Sequence, residues 1–274
     1  MKKFLILVLL FTALAAQSAV VDTVSIYSAA MKKTSKCMVI RPFIQGQKPI
    51  PLPTVYLLHG YSGDYSNWIS KVPRLREYAD NYQVIIVCPD GSYSSWYLDS
   101  PLDRSMKYET YIAQEVPAFI DSAYLTIRNR KARAITGLSM GGYGAIYLSL
   151  KHPETFGACG SMSGGFDLRS SKNKYDISKR IGDTINYAAN WEQYALINLV
   201  EKYRPDSLAI IFDCGVSDMF YEDNKKFHQK LLQLKIPHDY IERAGGHNWN
   251  YWSNAVMYHF LFFRNYFDRK NTRQ

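Results

Sequence analysis

From Thr54 onward, short unbroken apolar runs alternate with longer stretches in which apolar residues recur every three or four positions. The short runs are Thr54–Leu58, Val84–Val87, Ala132–Thr136, Phe156–Met162, Leu208–Cys214 and His238–Glu242. Strands covered on both faces lose the polar half of their alternation, so most of these runs predict a parallel sheet. The stretches between them predict helices. One lies within Trp68–Asn81 and starts at Pro73; Tyr108–Tyr124 is a long one that Pro117 should kink. Gly142–Lys151 is stopped by His152-Pro153, and Trp191–Tyr203 follows. Tyr221–Leu234 carries Phe227, Leu231 and Leu234 on one face, and Asn254–Phe267 closes the chain.

Ahead of this series, Asp22–Ala30 and Ser35–Phe43 alternate as strands and predict a hairpin turning at 31–34, followed by a Pro/Gly loop over Gln45–Pro53. Strand–helix alternation of this kind predicts an α/β fold with one mostly parallel sheet and helices on both faces. One domain over residues 20–274 accounts for it, and no internal repeat is present. Gly164–Asn190 has no strong periodicity and is rich in Lys, Ser, Asn and Asp, which predicts a small cap or lid insertion.

The first 19 residues follow another pattern. Lys2 and Lys3 precede an apolar stretch, Phe4–Ala16, and small residues follow. That is the layout of a secretory signal peptide, with cleavage expected after Ser18 or Ala19 and a secreted or periplasmic destination. The stretch is too short to span a bilayer. No second long apolar run occurs and no cysteine lies near the cut, so a soluble chain without a stable membrane anchor is expected.

Composition narrows the chemistry. The chain has 274 residues, 47 % of them hydrophobic, enough for a substantial core. Net charge is +9, but the lysines and arginines are dispersed and not interleaved with aromatics, which excludes a nucleic-acid partner. Aromatics make up 15 % of residues, and most of them are accounted for by core packing. Cys37, Cys88, Cys159 and Cys214 are widely spaced, at least three of them inside apolar runs, and read as free buried thiols, with a Cys159–Cys214 bridge as the alternative. There is no Cys-x-x-Cys or His-Glu-x-x-His, so neither a metal nor another cofactor is signalled.

Against this background one decapeptide, Thr136–Ala145, stands out. Gly137-Leu138-Ser139-Met140-Gly141 is a Gly-x-Ser-x-Gly pattern at the junction of a predicted strand and helix. A serine on so sharp a turn needs neighbours without side chains two places before and after it. A hydroxyl also needs a base, and the base a carboxylate to orient it. When strand, serine, acid and histidine follow in that order, the acid belongs after the fifth parallel run and the histidine after the last. Asp218 lies in the first of these loops, whereas Asp213 is still in the strand and reads as a structural carboxylate. His247, in Ala244-Gly245-Gly246-His247, lies in the second. His152, His228, His238 and His259 fall in or beside helices and strands and read as structural. An oxyanion hole needs two backbone donors. Met140 supplies one, and Tyr61 or Gly60, after the first parallel run, the other, with Tyr61 favoured. His59, Trp96 and Trp249 are candidate substrate contacts.

Six motifs in order carry a resemblance: Leu57-Leu58-His59-Gly60-Tyr61-Ser62-Gly63, Ser95-Trp96-Tyr97, Glu115-Val116-Pro117, the serine motif through Gly142, Asp213-Cys214-Gly215-x-x-Asp218 and Gly246-His247-x-Trp249. Together they resemble the esterase D family of α/β-hydrolases, over about residues 50–265. That family includes S-formylglutathione hydrolases, tributyrin-type esterases, feruloyl and acetylxylan esterases and mycobacterial mycolyltransferases. The resemblance implies Ser139, Asp218 and His247 as a triad, no cofactor, and an ester substrate. With the leader and the aromatic loops, a feruloyl or acetyl ester on plant polysaccharide is expected, or a simple short-chain or aryl ester. Acyl transfer to a sugar is the nearest alternative, and an inactive sugar-binding module a more distant one.

Overall fold

The computed structural model describes residues 18–44, 49–172, 174–202 and 208–271. Residues 1–17 of the expected leader, and Tyr203 at the end of one expected helix, lie outside the described residues.

Among the described residues eight strands form one sheet: β1 (Val20–Ser28), β2 (Lys33–Arg41), β3 (Thr54–Leu58), β4 (Ile85–Pro89), β5 (Arg133–Gly137), β6 (Ala158–Met162), β7 (Ala209–Gly215) and β8 (Asp239–Arg243). Their order across the sheet is β1-β2-β4-β3-β5-β6-β7-β8. β1 and β2 are an antiparallel hairpin, β2 meets β4 antiparallel, and every pair from β4 to β8 is parallel. β3, β4, β5 and β6 are buried along their whole length, as their unbroken apolar runs require. The hairpin turns two residues earlier than expected. Lys32 takes a left-handed conformation at φ 53° and the Ser28 hydroxyl accepts the Met31 amide, which closes the turn within 29–32.

Helix α2 (Leu75–Tyr82) is the helix expected from Pro73, begun two residues later, and a short α1 (Asn67–Lys71) that was not expected precedes it. The Val72 amide closes the last turn of α1 on Trp68, and Pro73, with no amide hydrogen, cannot continue it. The stretch from Tyr108 is continuous, as α3 (Tyr108–Thr110), a π-helical turn (Tyr111–Glu115) and α4 (Val116–Ala123). Pro117 leaves the Ala113 carbonyl without its i+4 donor; the wider turn makes room for the ring, and the Thr155 hydroxyl donates to that carbonyl at 3.2 Å. At the place of the expected kink the helix takes a π turn.

Helix α5 (Met140–Lys151) follows β5 directly. Between β6 and β7, α6 (Ile177–Ile181) lies in the segment expected to be an insertion and α7 (Ala188–Gln193) straddles its end, while the single helix expected over Trp191–Tyr203 is broken at the extended Ala195 into the end of α7 and a short α8 (Leu196–Leu199). α9 (Tyr221–Gln233) and α10 (Trp249–Asn271) complete the chain. α10 starts five residues before its predicted position, because its first turns are built from Trp249, Tyr251 and Trp252, whose rings mask the periodicity.

Two apolar cores lie on the two faces of the sheet. One joins the sheet to α3, α4, α5, α9 and the insertion through Tyr111, Ile112, Tyr143, Trp191 and Phe227. The other joins it to α1, α2 and α10 through Trp68, Leu75, Tyr78, Trp252 and Phe260. All four cysteines are free and buried, and burial pushes the Cys88 thiol up to about 12. No described helix is long and apolar enough to cross a membrane.

Candidate active site

Parallel strands direct their carboxyl ends to one edge of the sheet, and loops leaving those ends converge there. Ser139 follows β5, Asp218 follows β7, and His247 follows β8. His247 Nε2 lies 2.9 Å from Ser139 Oγ, and His247 Nδ1 lies 3.0 Å from both Asp218 carboxylate oxygens. These three residues, 108 and 29 positions apart from His247, are in hydrogen-bond contact.

Each member is held by its own local geometry. Ser139 caps α5 with φ 53° and ψ −118°, a strained conformation for a residue with a side chain. The strain is fixed by contacts too tight for any Cβ. A methyl on Gly137 would sit 2.6 Å from the Gly141 carbonyl carbon, and one on Gly141 would sit 2.5 Å from the His59 oxygen. The turn therefore needs glycine both across itself and against the end of β3. Asp218 is held by the Phe220 amide on Oδ1 at 2.9 Å. Its loop is tied to that of His247 by the Ser217 amide, which donates to the Gly245 carbonyl at 2.9 Å. Gly245, at φ +138°, turns the chain there, and a Cβ on Gly215 would lie 2.4 Å from its oxygen. The His247 ring sits between the edges of Phe220 and Trp252, at 5.3 and 4.9 Å.

A cleft with about 240 Å³ of free space opens over Ser139, lined among others by Gly60, Tyr61, Asn67, Tyr175, Met219 and Trp249. Its rim carries two aromatic groups. Tyr61 packs against Tyr93 and Tyr175 at 4.9 and 5.4 Å, and Trp249 against Trp68 and Trp252 at 5.2 and 5.5 Å. The first amides of a helix have no intrahelical acceptor, so the Met140 N–H at the start of α5 is free to face this space. Gly60 lies against Ser139, and a Cβ on it would come within 3.4 Å of the serine Cβ.

Two of the candidate substrate contacts are not in the cleft. His59 is 1 % exposed, with Nδ1 2.8 Å from the Gly60 oxygen and Nε2 2.7 Å from the Gly91 amide. Trp96 is 2 % exposed; its indole N–H donates to the Tyr175 carbonyl and its ring packs on Tyr143. Both carry a polar edge that backbone partners satisfy, which lets them be buried under the cleft instead of lining it. Trp249 does line it. Sequence reading had no signal for Tyr175 and Met219, which reach the cleft from the insertion and from the loop after Asp218.

Asp213 belongs to a separate buried network. His259 Nε2 lies 2.8 Å from its Oδ2, Thr136 Oγ lies 2.8 Å from His259 Nδ1, and Arg243 approaches Asp213 Oδ1 at 3.3 Å. With Asp213 and His259 wholly buried, this serine-triad-like arrangement has no access to a substrate. It joins β5, β7, β8 and α10, the elements that carry the Ser139, Asp218 and His247 loops. No group of three or more described His, Cys, Asp or Glu residues is placed to hold a metal ion.

Comparison with known proteins agrees with the geometry. The sequence profile of the Esterase family matches residues 28–263, and the chain belongs to that family. The acetyl esterase of Caldicellulosiruptor saccharolyticus is 27 % identical over 252 residues, covering 85 % of this chain and 94 % of that one. Among solved structures, a ferulic acid esterase superposes with a TM-score of 0.77 at 26 % identity, covering 91 % of this chain and 98 % of its own. The substrate-bound serine hydrolase FphF of Staphylococcus aureus superposes with a TM-score of 0.79 at 22 % identity, covering 90 % and 99 %. The fold is that of the α/β-hydrolases, the resemblance to the esterase D family is borne out, and the protein is a carboxylic ester hydrolase.

Proposed function

We propose that the protein is an exported serine esterase that removes small acyl groups, acetyl or feruloyl, from carbohydrate. The observation that carries this reading is the Ser139–His247–Asp218 contact at 2.9 and 3.0 Å beneath an open cleft. His247 Nε2 takes the proton of Ser139 as Oγ attacks the ester carbonyl. Asp218, bonded to Nδ1, fixes the tautomer and stabilises the imidazolium. The amides of Tyr61 and Met140 receive the negative charge on the tetrahedral oxygen. His247 then returns the proton to the leaving alcohol, which departs and leaves an acyl-serine. Water, deprotonated by the same nitrogen, attacks the acyl carbon; the acid leaves and Ser139 regains its proton.

The substrate class is supported by three features. The cleft's free space, about 240 Å³, is below the roughly 300–1,000 Å³ that enclose a whole drug-sized ligand, so an acyl group fits and a larger alcohol stays outside. Its rim of Tyr61, Tyr175 and Trp249 offers ring faces to an aryl acid or a sugar. The family relatives include a protein named for acetyl esters and one named for ferulic acid. Export rests on the charged and apolar leader of the sequence.

Replacing Ser139 by Ala is expected to lower kcat on an aryl acetate by about 10⁴-fold or more and to abolish labelling by a fluorophosphonate. Unchanged hydrolysis would remove Ser139 from the mechanism. A panel of methyl ferulate, acetylated xylan and short aryl esters then identifies the acyl group, and acylated sugar formed with an added acceptor would reveal transfer in place of hydrolysis.

A further inference from the structure

His59 is the one imidazole near the cleft that the proposed chemistry leaves without a task. Its environment fixes its protonation by elimination. The Gly91 amide can only donate, so Nε2, 2.7 Å away, must present a lone pair. The Gly60 carbonyl can only accept, so Nδ1, 2.8 Å away, must carry the hydrogen. The ring is therefore neutral and in the Nδ1–H form, and burial, which lowers its pKa, favours the same state.

That bond has a consequence across the peptide. In a trans peptide the carbonyl and the following N–H point in opposite directions, and no cis bond occurs among the described residues. The Gly60 oxygen is held on the side of His59, by Nδ1 and also by the Gly63 amide at 3.1 Å. The Tyr61 N–H, in the same plane, must then point the other way. Gly60 and Tyr61 both line the cleft with Ser139, so a Tyr61 N–H turned away from His59 is available to that space.

The surroundings of His59 are built to keep it there. The Tyr97 hydroxyl donates to the His59 carbonyl at 2.9 Å. Gly91 has no room for a side chain, because a Cβ would lie 2.4 Å from the Tyr97 ring. Nor has Gly63, where a Cβ would lie 3.0 Å from His59 Nδ1 and 2.5 Å from Asn67 Oδ1. The loop after β4 is sewn to the same turn a second time by the Ser62 amide, which donates to the Tyr93 carbonyl at 2.8 Å.

We propose that His59 is a positioning residue of the oxyanion hole: its Nδ1–H locks the Gly60–Tyr61 peptide so that the Tyr61 N–H faces the carbonyl attacked by Ser139. The inference rests on the proposed Ser139 chemistry. It assigns the motif His59-Gly60 a role distinct from contact with substrate, and it links the loop after β4 to turnover through Gly91.

Two variants of similar size separate positioning from packing. Asparagine places its amide nitrogen where imidazole Nδ1 sits and keeps the donor to Gly60; leucine fills the space without one. Active sites are counted by fluorophosphonate titration, so that a poorly folded fraction does not enter kcat. Per active site, His59→Leu is expected to lose about 10²-fold in kcat, the cost of one oxyanion donor, with KM little changed. An aryl boronic acid, which forms a tetrahedral anion on serine, should bind more weakly in parallel. His59→Asn should stay within about fivefold of the unsubstituted enzyme, as loss of one neutral bond at Gly91 implies. Equal kcat per site in the two variants, or unchanged boronate affinity in His59→Leu, overturns the proposal. Should His59→Leu fail to fold, imidazole ¹⁵N shifts of the unsubstituted protein decide the matter, because an Nε2–H tautomer of His59 is incompatible with it. If Ser139→Ala leaves hydrolysis intact, the nucleophile assignment has failed; if it abolishes hydrolysis while the His59 variants behave alike, only the present inference has.

Discussion

Two aspartates five positions apart, one in β7 and one in the loop after it, do different work. Asp218 has left the strand and turns its carboxylate to His247, with the Phe220 amide holding one oxygen. Asp213 is still in β7, wholly buried, and spends its charge on His259 and Arg243. Their substitutions should therefore fail in different ways. Asp218→Asn preserves shape but favours the wrong imidazole tautomer, and is expected to cost about 10⁴-fold in kcat with little change in melting temperature. Asp213→Asn removes the charge opposite a half-buried Arg243 and disturbs the wholly buried bond to His259, and is expected to cost about 1–3 kcal/mol, visible as a lowered Tm. Steady-state kinetics and thermal melts of the two purified variants check both outcomes. The distinction was legible in sequence, since one aspartate falls inside an apolar run and the other beyond a glycine. The partners of Asp213 were not. His259 and Thr136 are 46 and 77 positions from it, and nothing local to either announces a buried bond.

At the scale of elements, the sheet and its helices follow from local pattern, and the departures have local physical causes. The π turn at 111–115 arises because Pro117 withholds a hydrogen bond and Thr155 can replace it. A second contact between the same helix and the end of α5 is titratable. Glu109 accepts from the Tyr147 hydroxyl at 2.6 Å and meets His152 Nε2 at 3.0 Å. Burial alone would disfavour both charges. The His152 and Tyr147 bonds nevertheless hold the Glu109 carboxyl below its ordinary value, and the Glu109 bond raises the His152 pKa. The His152 contribution is thus complete below the imidazole's unfolded value, about 6.5, and is lost as pH rises through the higher folded value. The Glu109 contribution is complete above about 4.3 and is lost as pH falls through the lower folded value. Replacing His152 by Ala should cost about 1–2 kcal/mol between these limits and much less at pH 9. Melting curves of both proteins at about pH 5.5 and 9 test this, and an equal difference at the two pH values would contradict it.

At the scale of the whole molecule, the antiparallel hairpin β1–β2 extends a parallel sheet at the edge away from the cleft, and Ala19, just ahead of β1, is tied into the body. The Ala19 amide donates to Asp80 Oδ2 at 3.0 Å, while Oδ1 of the same carboxylate accepts the Phe43 amide at 2.7 Å. Cleavage after Ser18 would convert that amide to an ammonium beside a carboxylate, whereas cleavage after Ala19 would discard it. On the proposed export, the chain after cleavage is expected to begin at Ala19, and intact-mass measurement of protein recovered from a secreting host decides between the two. The sequence by itself determined the strand series, most of the helices, the elbow at Ser139 and the places of Asp218 and His247, because periodicity, glycine and chain order are local or ordinal properties. The tertiary structure alone decided which aromatics face the cleft. His59 and Trp96 were placed in it by nearness to the motifs, yet both are buried because backbone groups from distant loops, Gly91 and Tyr175, satisfy their polar atoms. Tyr175 and Met219 reach it from segments without pattern. Contacts between residues tens of positions apart depend on how the loops pack, and no period or spacing along the chain encodes that packing.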